Sequence, residues 1–200
     1  MQFSQIINTC FNVADNCYQS INSFFWGLII KTGARARGIK IGNQCNFYGY
    51  SKFKKANAAQ IIIGSNNNFR SFATSNLIGI NRPCIISALE KSAIIKIGDR
   101  NGFSGTVIGC FKAIEIGNNV KCGANTLITD GDWHSEDKRS GKPAKITIED
   151  NVWLGVNVTV LKGVTIGQNS LIGANSLVVK SIPPNSIAVG NPCVVVRKIL

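Results

Sequence analysis

Histidine is almost absent from this chain, with one residue in 200, which rules out a zinc centre built on three imidazoles; no metal site is expected. Charge is sparse too, at 16% of residues. Long apolar runs are missing: the N-terminal stretch from Phe24 to Ile30 falls far short of the ~20 residues that cross a bilayer. No Lys or Arg precedes Lys31, so the basic start of an export signal is lacking as well. The seven cysteines (Cys10, Cys17, Cys45, Cys84, Cys110, Cys122 and Cys193) are odd in number, scattered and without a CxxC pair. Reduced thiols in a cytoplasmic protein account for them.

What remains is enough for one folded domain, with 44% hydrophobic residues. The formal charge of +12, from 22 basic against 10 acidic residues, points to an anionic partner: nucleic acid, a phosphorylated cofactor or a membrane surface. Nucleic acid is set aside, because no aromatic-basic platform or known binding motif accompanies the charge.

The strongest pattern lies near the C-terminus, where Ile148, Leu154, Val160, Ile166, Ile172 and Val178 recur every six residues. Three residues after each come Asn151, Asn157, Gly163, Asn169, Asn175 and Ser181. In Val158-Thr159-Val160 the outer side chains share one face and the middle one opposes it, as in a strand. Asn and Gly tolerate positive φ at least cost, so the backbone is expected to turn where they stand. The fold class predicted is all-β, a parallel β-helix of hexapeptide repeats.

Residues 1–38 read as an N-terminal helical segment, with Phe3, Ile6, Ile7, Cys10, Phe11, Val13 and Ala14 at mostly helical spacing. One or two helices, or a helix and a loop, fit the first 30 residues. Residues 39–188 form the coil, restarting at Ile41-Gly42, Ile63-Gly64, Ile97-Gly98 and Ile116-Gly117, with extra residues at some corners. Pro183-Pro184 ends it, and the tail of residues 189–200 folds back or extends beyond.

If three hexapeptides make one rung, residues eighteen apart stack. Trp153 then lies over Leu171 and Thr159 over Leu177, all pointing outward. Leu171 and Leu177 read as a subunit interface, and Trp153 as either an interface or a ligand contact. Lys162 and Lys180 share a corner and together suit a phosphate, against the plainer reading of solvated surface lysines.

Residues 129–145 leave the coil as a polar loop that carries the sole histidine, His134, and loops on rigid scaffolds are where chemistry is usually placed. An imidazole exchanges protons near neutral pH, and Asp130, Asp132, Glu136 or Asp137 is near enough in sequence to fix its tautomer.

From Ile116 to Arg197 the chain resembles the hexapeptide-repeat acyltransferases, and within them the maltose and galactoside O-acetyltransferase group and relatives that acetylate capsular and lipopolysaccharide sugars. The resemblance rests on Asp150-Asn151-Val152-Trp153-Leu154-Gly155, Ile172-Gly173-Ala174-Asn175-Ser176, Ile182-Pro183-Pro184-Asn185 and Gly190-Asn191-Pro192-Cys193. The segment Ile128-Thr129-Asp130-Gly131-Asp132-Trp133-His134 looks more like the polysaccharide-modifying branch. The resemblance implies a left-handed coil, a homotrimer with sites between subunits, and acetyl-CoA as donor. It implies His134 as general base, Trp153 and Gly155 lining the site, and Ala174, Lys180 and Arg197 along the CoA arm. Lys162 joins that set from its corner position alone. Where the galactoside enzymes carry a helper glutamate, this chain has Lys142 or a neighbour, so the orienting acid is expected from Asp130 or Asp132. Their acceptor-binding asparagine has no counterpart around Asn101 to Gly105.

The function expected is O-acetylation of a sugar or glycan hydroxyl in surface polysaccharide synthesis, by direct attack on the thioester. Cys110 and Cys122 are the alternative nucleophiles, although Cys122 falls on an inward position. The nearest rival is N-acetylation of an amino sugar or nucleotide-linked amino sugar; a non-enzymatic scaffold is the rival from another class. The apolar N-terminus followed by Lys31, Arg35, Arg37 and Lys40 allows peripheral contact with the inner face of an anionic membrane. A helix packed beside the trimer is the other reading.

Overall fold

A computed structural model describes residues 2–199; Met1, Leu200 and the side chains of Gln2, Phe3, Ser4 and Ile6 lie outside the described residues. Two of the seven residues that carried the helical spacing, Phe3 and Ile6, therefore have no side-chain description. One continuous helix, α1 (Gln2–Ala36), fills the N-terminal segment. No helix among the described residues is long and apolar enough to cross a membrane.

The coil follows, three short strands to a turn. Its first three turns are β1 (Lys40–Ile41), β2 (Asn46–Tyr48), β3 (Lys52–Lys55); β4 (Gln60–Ile63), β5 (Asn68–Arg70), β6 (Ile85–Ala88); and β7 (Ile94–Ile97), β8 (Gly102–Ser104), β9 (Val107–Cys110). The next three are β10 (Ala113–Ile116), β11 (Lys121–Cys122), β12 (Leu127–Thr129); β13 (Ile146–Ile148), β14 (Trp153–Leu154), β15 (Thr159–Val160); and β16 (Thr165–Ile166), β17 (Leu171–Ile172), β18 (Leu177–Val178). Equivalent strands of successive turns pair in parallel, giving three sheets around a triangular core. The tail folds back: β19 (Ser186–Val189) pairs with β17, and β20 (Val194–Lys198) returns antiparallel along β19.

The six-residue step fixes what lies inside. In the first sheet Ile63, Ile97, Ile116, Ile148 and Ile166 stand in register, all of them buried. In the second, Phe47, Phe69 and Phe103 stack at 4.9 and 5.0 Å between ring centroids, and the column continues through Cys122, Leu154 and Ile172. Each fully buried aliphatic or aromatic side chain stabilises the coil by roughly 1.5–3 kcal/mol. Outward positions stack as the eighteen-residue period requires, with Trp153 opposite Leu171 and Thr159 opposite Leu177.

Corners are made by asparagine. Asn151, Asn157, Gly163, Asn169 and Asn175 take positive φ between 55° and 79°, where a short polar side chain or none costs least. The sixth corner residue, Ser181, does not, because the regular coil ends there: Ile182 makes a lone bridge to Ile166 and Pro183-Pro184 follow. Side-chain amides link corners from rung to rung, Asn157 to Asn175 at 3.1 Å and Asn151 to Asn169 at 3.1 Å. Fully buried Asn101 belongs to another such ladder: its amide donates to the Gly117 carbonyl, and its oxygen accepts from Val120 N–H. That side chain is thereby committed to the core.

Two turns are enlarged. Residues 130–145 protrude between β12 and β13, and residues 71–84 between β5 and β6, with a short 3-10 turn at Ala73–Ser75. Asn157→Ala should destabilise the coil by about 1–2 kcal/mol, through left-handed strain and the lost amide link. Asn157→Gly should cost less, and equal urea midpoints for the two variants would contradict this account of the corners.

Candidate active site

The His134 loop is rooted by Asp130. Its carboxylate is fully buried and accepts from the backbone N–H groups of Phe111, Lys112 and Ala113 at 2.6, 2.8 and 2.7 Å. Its own carbonyl accepts from Ala144 N–H at 3.0 Å, closing the loop's neck. Asp130 therefore caps a corner of the coil and does not orient His134. The reason is physical: three converging amides at a partly buried corner need an oxygen acceptor, and Asp130 is the residue that reaches them.

Trp133 holds the next stretch. It adopts φ of 65°, donates through Nε1 to Thr129 Oγ1 at 2.9 Å and meets Phe111 edge-on at 5.3 Å. Its ring lies over Gly109 so closely that a Cβ there would come within 2.4 Å of it. Asp132, the second acid expected beside His134, instead pairs with Lys162 and accepts from Gly141 N–H at 2.8 Å. These two donors, Lys162 first, hold its carboxyl below the usual range. Lys162, expected to hold phosphate with Lys180, is thus a clasp between coil and loop. The imidazole itself projects outward, 77% exposed, with Nδ1 3.3 Å from Glu136 Oε1. Glu136 is the carboxylate at hand, in a solvent-exposed contact of small energetic weight.

A groove of about 450 Å3 runs along a different edge of the coil. Its floor is the column of corner residues Gly123 and Ala124, Gly155 and Val156, and Gly173 and Ala174, between the second and third sheets. Small residues are required here: a Cβ on Gly155 would stand 2.7 Å from the Ala174 nitrogen. Half-exposed Trp153 forms one wall with Leu171, and Asn76 and Ile78 of the second enlarged loop form the other. That loop is laced to the coil through Arg82 to the Asn125 carbonyl and through Asn76 to Ser104 Oγ at 3.0 Å. Sequence reasoning missed Asn76 and Ile78, although the broken register between Arg70 and Ile85 marked an insertion. Outward along the second sheet, Lys121, Trp153, Leu171, Ile187 and Arg197 follow one another in register. Lys121 Nζ sits 5.7 Å from the centre of a Trp153 ring, a cation missed in the sequence. Larger hollows lie beside α1 (about 700 Å3) and over the first sheet (about 740 Å3), and neither is lined by His134 or Trp153.

The expected site residues therefore fall into two groups. Trp153, Gly155, Ala174 and Arg197 belong to the second sheet and its edge with the third. His134, Asp132, Lys162 and Lys180 lie along the edge between the third sheet and the first. The cleft around His134 shares no residue with the groove. Within one chain the imidazole and the groove are separated by the width of a sheet.

Neither candidate cysteine suits a nucleophile. Burial, reinforced by the adjacent Asp130 carboxylate, pushes the Cys110 thiol up to about 12, and burial raises that of Cys122 further. Both stay protonated at neutral pH.

Replacing Asp130 with Ala should cost about 2–4 kcal/mol in urea unfolding, because three partly buried N–H groups lose their acceptor; an unchanged midpoint would show that Asp130 has no such structural duty. The Asp132 clasp should be intact above about pH 4 and be lost as pH falls through its depressed value. Hydrogen exchange of residues 132–141 should accordingly be constant from pH 8 to 5, after correction for intrinsic rates, and accelerate only in acid.

Comparison with known proteins agrees with this architecture. Residues 145–180 match the family described as bacterial transferase hexapeptide (six repeats). Over 91 residues the chain is 52% identical to the galactoside O-acetyltransferase of Lactococcus lactis subsp. lactis, a match covering 43% of this chain and 44% of that one. The chain spans less than half the length of the curated relatives it matches. Among solved structures, AntD, an N-acyltransferase from Bacillus cereus in complex with dTDP and 3-hydroxybutyryl-CoA, superimposes with a TM-score of 0.65 at 18% identity, over 85% of this chain and 88% of that one. The polySia-specific acetyltransferase NeuO gives a TM-score of 0.55 at 23% identity, over 81% and 86%. At these identities the structures speak for the fold alone. Residues 145–180 thus match the bacterial transferase hexapeptide repeats, and the chain has the left-handed parallel β-helix fold that its resemblance implies.

Proposed function

We propose that this chain is an acetyl-CoA-dependent O-acetyltransferase acting on a sugar hydroxyl, in the synthesis of a surface polysaccharide, and that its active sites form between copies of a homotrimer. One observation carries the reading: a firmly rooted loop presents an exposed imidazole on one edge of the coil, and an apolar groove with a tryptophan wall runs along another. The two are complementary only when the edge of one copy faces the groove of the next. The L. lactis relative, named a galactoside O-acetyltransferase, supports an acetyl group as the one transferred and a sugar hydroxyl as its acceptor.

In this reading the pantetheine arm of the donor lies along the Gly123, Gly155 and Gly173 column, where the absence of side chains lets it approach the backbone. Arg197, further along the sheet, and Lys180, on the facing edge of the next copy, suit the phosphates of the nucleotide. His134 takes the proton from the acceptor hydroxyl as its oxygen attacks the thioester carbonyl. Backbone N–H groups stabilise the tetrahedral oxyanion. The C–S bond then breaks, and the proton passes from the imidazole to the departing CoA sulfur, so that the acetyl group moves from sulfur to oxygen without an acyl-enzyme. The reaction places the protein on the cytoplasmic side, where acetyl-CoA is made, at the membrane's inner face if the acceptor is lipid-linked.

His134→Ala should lower turnover by about 100-fold or more while leaving acetyl-CoA affinity within a few-fold. Mixing unfolded His134→Ala and Trp153→Ala chains and refolding them together should restore part of the activity, because some sites then draw an intact imidazole and an intact groove from different copies. No restoration would mean that each chain builds its site alone. Parallel assays with hydroxyl and amino-sugar acceptors separate O- from N-acetylation.

A further inference from the structure

Helix α1 lays Gly27, Ile30 and Ala34 on its own coil, with Trp26 packed beside them. Ser20, Ser23, Phe24 and Leu28 border a cleft with Asn46 and Tyr48, while Gly27, Ile30 and Ala34 are buried against the first turn. The outer side carries Ile7, Phe11, Ala14, Tyr18, Ile21 and Phe25, with Leu28 at its edge beside that cleft, separated alternately by four and three residues. That alternation is the a/d spacing of a coiled coil, which suits another helix of the same period. Among these, Phe11 is 67% exposed, Ile21 70% and Leu28 62%. Tyr18 meets Phe72 edge-on and Phe25 meets Trp26, yet both remain more than half exposed. Phe24 and Ile29 widen the stripe on its two flanks.

With large side chains presenting 150–250 Å2 each when fully open, the stripe exposes on the order of 1,000 Å2. Single chains rarely leave more than a few hundred Å2 of contiguous apolar surface uncovered, whereas a stable interface takes about 800 Å2 from each partner. The charge pattern identifies the occupant. From Gln2 to Ile30 the helix has one charged residue, Asp15, and no Lys or Arg, whereas helices that lie on anionic lipid are rich in basic residues on their polar face.

We propose that the Ile7–Leu28 stripe docks against the same helix of a second copy of this chain. This contact is distinct from the groove-to-edge contact of the proposed catalytic assembly, and it holds whatever reaction the coil performs. Cys10 and Cys17 are exposed and sit seven residues apart, both flanking the stripe one heptad from each other. They provide a native reporter.

The full chain, treated with a short bismaleimide at micromolar concentration, should give covalent pairs joined through Cys10 and Cys17. Pairs should disappear in C10S/C17S. In Phe11→Glu/Ile21→Glu, whose coil is checked by circular dichroism and whose cysteines remain, the crosslinked fraction should fall at least tenfold. Crosslinking at the same rate in that variant would mean random collision and would overturn the proposal. So would wild-type chains that stay uncrosslinked and instead float with anionic phosphatidylserine vesicles, since lipid would then be the occupant. Neither result bears on acetyl transfer, which H134A tests separately.

Discussion

The structure depends on one repeated constraint: each corner must bring the chain back onto the rung below with its inward aliphatic side chain in register. Backbone N–H to carbonyl bonds run from turn to turn, such as Trp153 N–H to the Ser170 carbonyl and Thr159 N–H to the Ser176 carbonyl, both at 2.9 Å. They align only if the corner residue adopts left-handed backbone geometry at little cost. Asparagine meets that condition and adds an amide that bonds to its counterpart one rung away. A side chain placed on such a frame has little freedom to drift, and this rigidity gives the edge with the imidazole and the edge with the groove a fixed separation.

That frame also explains the use of small residues. The groove needs backbone without side chains at three successive corners, and Gly123, Gly155 and Gly173 supply it. The loop carrying His134 needs a neck that cannot swing, and buried Asp130, Trp133 over Gly109 and the Lys162 clasp supply that. The protein thus commits two acids close to the imidazole in sequence to holding the loop in place.

Much of the fold was legible in the residues because its period is strict. A six-residue step forces three faces, and from it the pairing of Trp153 with Leu171 and of Thr159 with Leu177 follows directly. The shared corner of Lys162 and the histidine loop was legible by the same arithmetic. The direction of the Asp130 carboxylate was not, since its partners lie on the preceding rung, far away in sequence. Nor did spacing show that residues 71–84 reach along the coil to wall the groove with Ile78; an insertion breaks the very period that made the rest readable. The apolar spacing of α1 was visible, but which side faces the coil emerged only from burial of Gly27, Ile30 and Ala34.

The central claim is that the thioester is held by the groove of one copy and attacked beside the imidazole of another. A crystal structure of the assembled protein with acetyl-CoA measures this most directly. The account predicts the donor along the Gly123, Gly155 and Gly173 column with its carbonyl within about 4 Å of a neighbouring copy's His134, near the reach of a general base with the acceptor oxygen between. A donor bound far from every His134, or one that meets the imidazole of the chain whose groove it occupies, would contradict it.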